Sequence, residues 1–266
     1  MTRLYPEPIV TGQGGIKLLI IHGWYSDHSL FDGMVTALGL GRFTIARFDI
    51  RGYGTSRGIA GRFDLREIAK DALAVADGLD WRHFAVLGHS MGGKVAQVLA
   101  IDHPDRIEPV VALTPVPVTP LGFDADTQAF FAKAAEDDEV AAAIVSQSAG
   151  PLRDADWIRE LVAETRRTAS PQAFGSYARS FIGDDFSAGA ERLATPMLVL
   201  FGAEDRGVDP DLLEPVYRGL YPHARIEKIA GTGHYPMVDD PVGLARRVAD
   251  FLVRELYKRQ VTAGCD

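Results

Sequence analysis

The chain has 266 residues, of which 47% are hydrophobic and 24% charged, a composition typical of a folded globular protein and not of a disordered one. Its net charge of −8 disfavours binding to nucleic-acid phosphates. The single cysteine, Cys265, excludes an internal disulfide framework and a multi-cysteine metal site. Residues 1–6 lack the apolar stretch of a signal peptide, and no run of about 18 apolar residues follows. We therefore expect a cytoplasmic protein without membrane or nucleic-acid partners.

Six short apolar runs predict buried strands, at residues 17–21, 43–48, 83–87, 107–113, 196–201 and 224–229. Helical patterns lie between and after them, at residues 64–79, 91–103 and from 241 onward. Asp64, with Glu67 three residues later, marks the start of the first helix, and Pro104 ends the second. The last helix should turn its apolar side inward, with Val242, Val248, Phe251, Leu252 and Leu256. This alternation predicts an α/β protein with a mainly parallel sheet and helices on both faces.

Residues 116–190 interrupt the alternation. They contain helical patterns at 124–135, 137–148 and 152–167, and their 12 acidic and 6 basic residues carry −6 of the net charge. We predict an inserted helical cap at 116–190, with residues 1–115 and 191–266 forming the core domain. The alternative is a set of ordinary strand–helix connections that includes an unrecognised strand.

A Gly-x-Ser-x-Gly pattern occurs twice, at residues 88–92 and 54–58. A catalytic serine in this pattern needs a sharp strand-to-helix turn, which exposes the hydroxyl and directs a helix N-terminus at the developing oxyanion. Ser90 directly follows a predicted strand and opens a predicted helix. Ser56 follows a loop and precedes no helix. The context therefore predicts Ser90 as the nucleophile.

A serine hydroxyl needs a neighbouring imidazole as base and a carboxylate that orients the imidazole. His234 follows the sixth predicted strand and Asp205 follows the fifth, so both lie at the carboxyl edge of the sheet, where ligand crevices form. His89 is adjacent to Ser90, but neighbouring side chains at such a turn point apart. Glu204 remains the alternative to Asp205. The sequence thus predicts Ser90, Asp205 and His234 as a catalytic triad.

The chain order of these three residues is that of the α/β-hydrolases. Three motifs strengthen the likeness: His-Gly-Trp at 22–24, Asp-Ile-Arg-Gly-Tyr-Gly-Thr-Ser at 49–56, and Gly-His-Ser-Met-Gly-Gly at 88–93. Over nearly its whole length the chain resembles the α/β-hydrolase superfamily, in particular small bacterial lid-bearing serine esterases and the cofactor-free haloperoxidase group. These motifs are specific for the fold and much less so for the substrate.

The resemblance implies an oxyanion hole formed by the backbone N–H groups of Met91 and Trp24. Asp49 and Arg51 lie in the loop after the second predicted strand, and we expect their hydrogen bonds to hold this loop in shape. Aromatic and sulfur-containing side chains of the cap and the loops could form an apolar substrate pocket. The candidates are Tyr25, Phe130, Phe131, Trp157, Phe181 and Met237. The alternative is that most of them attach the cap helices to the core.

These features predict a serine hydrolase that cleaves a carboxylic ester, or a related acyl bond, of a small and largely apolar substrate through an acyl-enzyme. Such a mechanism needs no cofactor, and no metal site is expected, because no residue cluster has metal-ligand spacing. The serine at position 90 disfavours haloalkane dehalogenases and epoxide hydrolases, which use a carboxylate there. A lactonase, a carbon–carbon bond hydrolase and a non-catalytic ligand sensor remain open alternatives. The sequence does not predict the oligomeric state.

Overall fold

The computed structural model describes residues 4–25 and 27–263, so Cys265 and the first three residues of the chain lie outside the described part. Within it, seven strands form one sheet in the order β1-β3-β2-β4-β5-β6-β7. β1 runs antiparallel to β3, and every other neighbouring pair is parallel. The strands are β1 (Ile9–Thr11), β2 (Ile16–Ile21), β3 (Phe43–Phe48), β4 (Phe84–His89), β5 (Ile107–Leu113), β6 (Met197–Gly202) and β7 (Arg225–Ile229).

Helices surround this sheet, and β4 and β6 are buried at every position. α1 packs on α10, α2 packs on α3, and α3 packs on β4 and β5. The helices are α1 (Asp32–Ala37), α2 (Leu65–Gly78), α3 (Met91–Asp102), α4 (Ala125–Lys133), α5 (Asp138–Ser148), α6 (Ala155–Thr168), α7 (Pro171–Gly183), α8 (Pro210–Leu220), α9 (Pro236–Asp239) and α10 (Pro241–Ala263). The predicted α/β class with a mainly parallel sheet is confirmed. None of the helices described in the structure combines the length and apolar character needed to cross a membrane.

The six strands predicted from apolar runs are all present, and two of them have the predicted bounds. The prediction for the last helix is wrong at Val242, whose side chain is 68% exposed. Val248, Phe251 and Leu252 are buried as predicted, and Leu244 is buried where the prediction named Val242. Val242 lies two residues before Leu244, about 200° away around the helix, so both cannot face the core. Its apolar character alone was therefore a poor guide to its side of the helix.

Residues 114–190, all of them described, contain four helices and no strand, and we call this stretch the helical insert. Each of its helices is directly preceded by a residue whose side chain accepts a backbone N–H of the first turn. These residues are Asp124, Asp137, Asp154 and Ser170. Three of the acidic residues that give the insert its negative charge are therefore helix caps.

A buried lysine on α3 attaches both ends of the insert to the core. Lys94 is fully buried, and its Nζ donates hydrogen bonds to the carbonyl oxygens of Thr119 (3.0 Å), Phe181 (3.0 Å) and Asp184 (2.8 Å). Three acceptors match the three N–H bonds of an ammonium group. Burial lowers the pKa of Lys94 to about 8. Since α3 begins directly after Ser90, the insert is fixed to the same helix that follows the predicted nucleophile.

Candidate active site

Ser90 occupies a strained turn between β4 and α3. Its φ of +54° and ψ of −116° are unusual for a residue with a side chain, and such strain clusters at functional sites. The turn is secured by hydrogen bonds from Ser90 N to Leu113 O (2.9 Å) and from Val116 N to Ser90 O (3.1 Å). It also requires glycine at position 88, where a Cβ atom would lie 2.0 Å from the carbonyl oxygen of Gly92. This is the strand–turn–helix context that the sequence predicted for Ser90.

The second copy of the pattern has a different environment. Ser56 is 1% exposed and ends a short 3-10 turn, Gly54–Ser56, in which its N–H donates to Tyr53 O at 2.7 Å. It does not belong to the wall of the cavity that contains Ser90. The structure therefore brings Ser90, and not Ser56, to the candidate site.

The predicted base and acid are in direct contact. His234 Nδ1 and Asp205 Oδ2 are 2.5 Å apart. Asp205 is fully buried, and its other oxygen, Oδ1, accepts the N–H groups of Gly207 and Val208, both at 2.9 Å. Both carboxylate oxygens are thus engaged, and Oδ2 fixes the orientation of the imidazole. The neighbouring residue, Glu204, is only half-buried and takes part through its backbone N–H, which donates to a carbonyl of the histidine loop.

The peptide groups of His234 are also secured by hydrogen bonds. Its N–H donates to Ser148 O (2.8 Å), and its carbonyl oxygen lies 2.8 Å from His89 Nε2 and 3.0 Å from Thr114 Oγ1. Because a carbonyl only accepts, we assign the proton of the His89 ring to Nε2. Burial, and next the nearby His234, lower the pKa of His89 well below its ordinary value, so His89 is neutral. His89 is thus not the base, as predicted, but it anchors the loop that carries the base, a role that its position beside Ser90 did not indicate.

Ser90 and His234 line the same cavity, which has a volume of about 300 Å³. Its walls are mainly apolar and aromatic, and they include Trp24, Tyr25, Val116, Leu121, Phe131 and Phe181. The exposed side chains of Gln147 and Arg206 contribute polar groups to the wall. A larger groove of about 1220 Å³ lies where β5 and β6 begin, and none of the three predicted catalytic residues lines it. The smaller cavity is therefore the candidate active site.

The structure separates the six predicted pocket residues into two groups. Tyr25, Phe131 and Phe181 line the cavity. The other three lie outside its wall: Phe130 is 37% exposed, Trp157 packs edge-on against Tyr235 (5.1 Å between ring centroids), and Met237 is buried below the surface. Phe130 and Phe131 are consecutive on α4 and point about 100° apart, and only Phe131 belongs to the cavity wall.

Trp24 is fixed at both its backbone and its ring. Its carbonyl oxygen accepts the hydroxyl of Tyr53 at 2.9 Å, and its indole Nε1 donates to Phe174 O in the helical insert, also at 2.9 Å. The rings of Trp24 and Phe174 stack with centroids 4.2 Å apart. Met91 is the first residue of α3, so its N–H is one of those that a helix N-terminus leaves without an intrahelical partner. Trp24 belongs to the wall of the cavity, and Met91 directly follows Ser90 at the strand-to-helix turn.

The loop after β3 is organised around Asp49. Its carboxylate accepts hydrogen bonds from Thr55 N (2.8 Å), Thr55 Oγ1 (3.0 Å) and the His28 ring (2.6 Å). Burial opposes ionisation, but these bonds hold the pKa of Asp49 below its ordinary value. Arg51 pairs with both oxygens of Asp71, at 2.9 and 2.6 Å. These contacts give the loop its shape, as the sequence predicted.

Among the described residues, one cluster of side chains has donor atoms close enough together to be considered as a metal site. Donor atoms of Asp27, His28 and Asp49 lie within 4.8 Å of one another. However, the oxygens of Asp49 already accept hydrogen bonds from His28 and Thr55, and Asp27 accepts the N–H of Ser29 at 2.8 Å. The donor set is therefore explained by the loop itself, and we assign no metal site to it.

A sequence profile described as the alpha/beta hydrolase fold matches residues 17–241. The chain belongs to this α/β-hydrolase family. The fold is shared with solved structures that include a thermophilic esterase from Thermogutta terrifontis (22% identity, 94% of this chain and 93% of that chain, TM-score 0.81). A bromoperoxidase from Bacillus anthracis (20%, 92% and 94%, 0.80) and an enol-lactonase from Burkholderia xenovorans LB400 (22%, 93% and 96%, 0.79) are similar to the same extent. At these identities the likeness concerns the fold of the α/β-hydrolases and leaves the substrate open.

Proposed function

We propose that the protein is a serine hydrolase that cleaves a carboxylic ester of a small, largely apolar substrate through an acyl-enzyme. One observation carries the proposal: the hydrogen-bonded pair of His234 and Asp205 adjoins the cavity that Ser90 lines from a strained strand-to-helix turn. A nucleophile and a base in one cavity, with a buried carboxylate that orients the base from behind, form the constellation that acyl transfer requires. The esterase and the enol-lactonase of the same fold are consistent with this chemistry.

In the proposed reaction, Ser90 Oγ attacks the ester carbonyl carbon while His234 Nε2 takes the hydroxyl proton. Asp205 stabilises the imidazolium through Nδ1–H. The N–H groups of Trp24 and Met91 bind the oxyanion of the tetrahedral intermediate. His234 then gives its proton to the leaving alkoxide oxygen, which departs as the alcohol and leaves an acyl group on Ser90. A water molecule, deprotonated by His234, attacks this acyl group. The bond from Ser90 Oγ to the acyl carbon then breaks, His234 returns the proton to Oγ, and the carboxylic acid is released.

The size and lining of the cavity support a small apolar substrate. About 300 Å³ is at the lower end of the range for ligand pockets, and aromatic walls match an acyl or alcohol chain without charges. Residues of the helical insert, among them Phe131 and Phe181, form part of this wall. We therefore propose that the insert acts as a cap that selects substrates by size.

Covalent labelling tests the proposed nucleophile. A fluorophosphonate should modify Ser90 and leave Ser56 unmodified, and Ser90→Ala should abolish turnover of p-nitrophenyl esters while Ser56→Ala retains it. Peptide mapping of the label and a panel of p-nitrophenyl esters, lactones and vinylogous diketones are the measurements. Label on another residue would contradict the assignment of Ser90. Stoichiometric binding without turnover of any panel member would support a ligand sensor instead.

Three phenylalanines of the helical insert test the role of the cap: Phe130 and Phe131 on α4, and Phe181 on α7. Phe131→Ala and Phe181→Ala should shift the preferred acyl length, since one methylene in such a pocket is worth roughly 1–3 kcal/mol. Phe130→Ala is the matched control and should leave the chain-length profile unchanged, because its side chain lies outside the cavity wall. Activity on a small acetate ester should stay within about tenfold in all three variants, because the triad acts on the carbonyl that every ester shares. An equal shift in Phe130→Ala would contradict this role, and melting temperatures would reveal a general loss of stability.

A further inference from the structure

The end of α5 in the helical insert is bonded to both loops that carry the proposed base and acid. Ser148 O accepts the N–H of His234 at 2.8 Å, and Gln147 O accepts the N–H of Arg206, the residue after Asp205, at 3.3 Å. The insert is therefore joined by hydrogen bonds to the catalytic loops at this end. A cap that only covered the cavity would need no such bonds.

An ion pair extends this connection. Arg153, in the insert between α5 and α6, places Nε 2.7 Å from Asp239 Oδ1, and Asp239 Oδ2 accepts the N–H of Gly233 at 3.0 Å. The Asp239 side chain is fully buried and that of Arg153 is 18% exposed. Gly233 directly precedes His234. The ion pair of Arg153 and Asp239 thus connects the insert to Gly233, the residue directly before the proposed base.

The insert also contacts the residue on the other side of His234. The guanidinium of Arg153 lies over the ring of Trp157, 5.4 Å from its centroid. Trp157 in turn packs edge-on against Tyr235, at 5.1 Å between ring centroids. Arg153 therefore reaches both neighbours of His234, Gly233 through Asp239 and Tyr235 through Trp157.

We propose that Arg153 and Asp239 are positioning residues whose ion pair sets the place of the His234 ring, so that the helical insert determines the geometry of the base. The proposal rests on the proposed function, in which His234 is the base. Proton transfer needs the imidazole within hydrogen-bond reach of the serine hydroxyl, and a displacement of about 1 Å can cost on the order of 10²-fold in rate. Without Arg153, the buried carboxylate of Asp239 would have no compensating charge and would no longer be held in place. The acceptor of the Gly233 N–H would then lose its fixed position.

Variants of the Arg153–Asp239 pair should lower kcat and leave KM nearly unchanged. We expect Arg153→Met and Asp239→Asn to lower kcat per labelled Ser90 by about 10- to 100-fold, with KM unchanged within about threefold. Counting active sites by the end point of fluorophosphonate labelling removes the effect of unfolded protein. Arg153→Lys should retain most of the activity, because an ammonium group can still pair with Asp239. The double variant should lose no more than the worse single variant, since the two side chains act as one unit.

Arg159→Met is the matched control. Arg159 lies on α6 of the same insert and pairs with Asp156, but both side chains are mainly exposed and neither contacts a catalytic loop. Its kcat per labelled site should change by less than about twofold, since exposed pairs contribute little. Losses that multiply in the double variant would overturn the proposal, and so would a lower melting temperature with unchanged kcat per labelled site in Arg153→Met and Asp239→Asn.

A readout without turnover separates this proposal from the proposed function. The proton shared by His234 Nδ1 and Asp205 should give a downfield imidazole resonance, which Asp205→Asn removes. Arg153→Met and Asp239→Asn should shift or broaden it, and Arg159→Met should not. If the wild-type protein turned over no ester and Ser90 took no label, the proposed function would fail, and the resonance would still report whether the pair positions His234. An unchanged resonance in both variants would overturn the positioning role.

Discussion

Asp205→Asn should lower kcat on p-nitrophenyl esters by about 10⁴-fold, as is typical when a triad aspartate becomes an amide. In the structure, Asp205 Oδ1 accepts the N–H groups of Gly207 and Val208, while Oδ2 accepts from His234 Nδ1. The amide oxygen of asparagine would satisfy the two backbone donors and direct its NH₂ group at Nδ1. His234 would then carry its proton on Nε2, the atom that has to accept the proton of Ser90. The loss thus follows from the wrong tautomer in an intact fold.

Glu204→Gln is the control, because it makes the same chemical change one residue earlier in the same loop. The side chain of Glu204 does not hydrogen-bond His234, so we expect kcat to change by less than about tenfold. Steady-state kinetics and melting curves of both variants measure the effect. The reverse result, a large loss only in Glu204→Gln, would assign the orienting carboxylate to Glu204.

The sequence predicts the parts of the molecule that depend on local patterns. The strands at 43–48 and 107–113 have the predicted bounds, because each is an apolar run ended by a polar residue. The meeting of Asp205 and His234 follows from a single rule, that loops after parallel strands share one edge of the sheet. β1, a three-residue strand with partly exposed side chains, has no comparable signal. Its place depends on pairing with β3, which the sequence does not reveal.

The contacts that secure the base have no local pattern. His89 Nε2 meets the carbonyl of His234 across 145 positions of sequence, and Arg153 meets Asp239 across 86. Such pairs depend on how the insert folds back on the core, and each residue alone resembles an ordinary surface or turn residue. The same limit applies to Phe130 and Phe131, whose different environments depend on the rotation of α4. The chemical groups of the candidate site follow local patterns in the sequence, whereas the groups that hold them in place depend on contacts that no local pattern encodes.

Gly202→Ala should lower kcat per labelled Ser90 by at least about 100-fold, through the spacing of the two catalytic loops. Gly202 ends β6, and a Cβ atom there would lie 1.9 Å from the carbonyl oxygen of Gly233. Since Gly233 precedes His234 and Gly202 lies three residues before Asp205, relief of this overlap has to move the base and the acid apart. The melting temperature should also fall by several degrees, because about 1 kcal/mol corresponds to roughly 2–4 °C in a chain of this size.

Gly219→Ala distinguishes this local effect from the general effect of replacing glycine. Gly219 is exposed near the end of α8, and a Cβ atom there meets nothing within 4 Å. Alanine should raise the free energy of unfolding by about 0.5–1 kcal/mol, since it favours the helix and restricts the unfolded chain, and kcat should not change. The resonance of the proton between His234 and Asp205 provides the decisive comparison, because it should be lost in Gly202→Ala and retained in Gly219→Ala. A Gly202→Ala protein with a lower melting temperature but full kcat per labelled site would show that the close approach of the two loops serves folding and not the distance between acid and base.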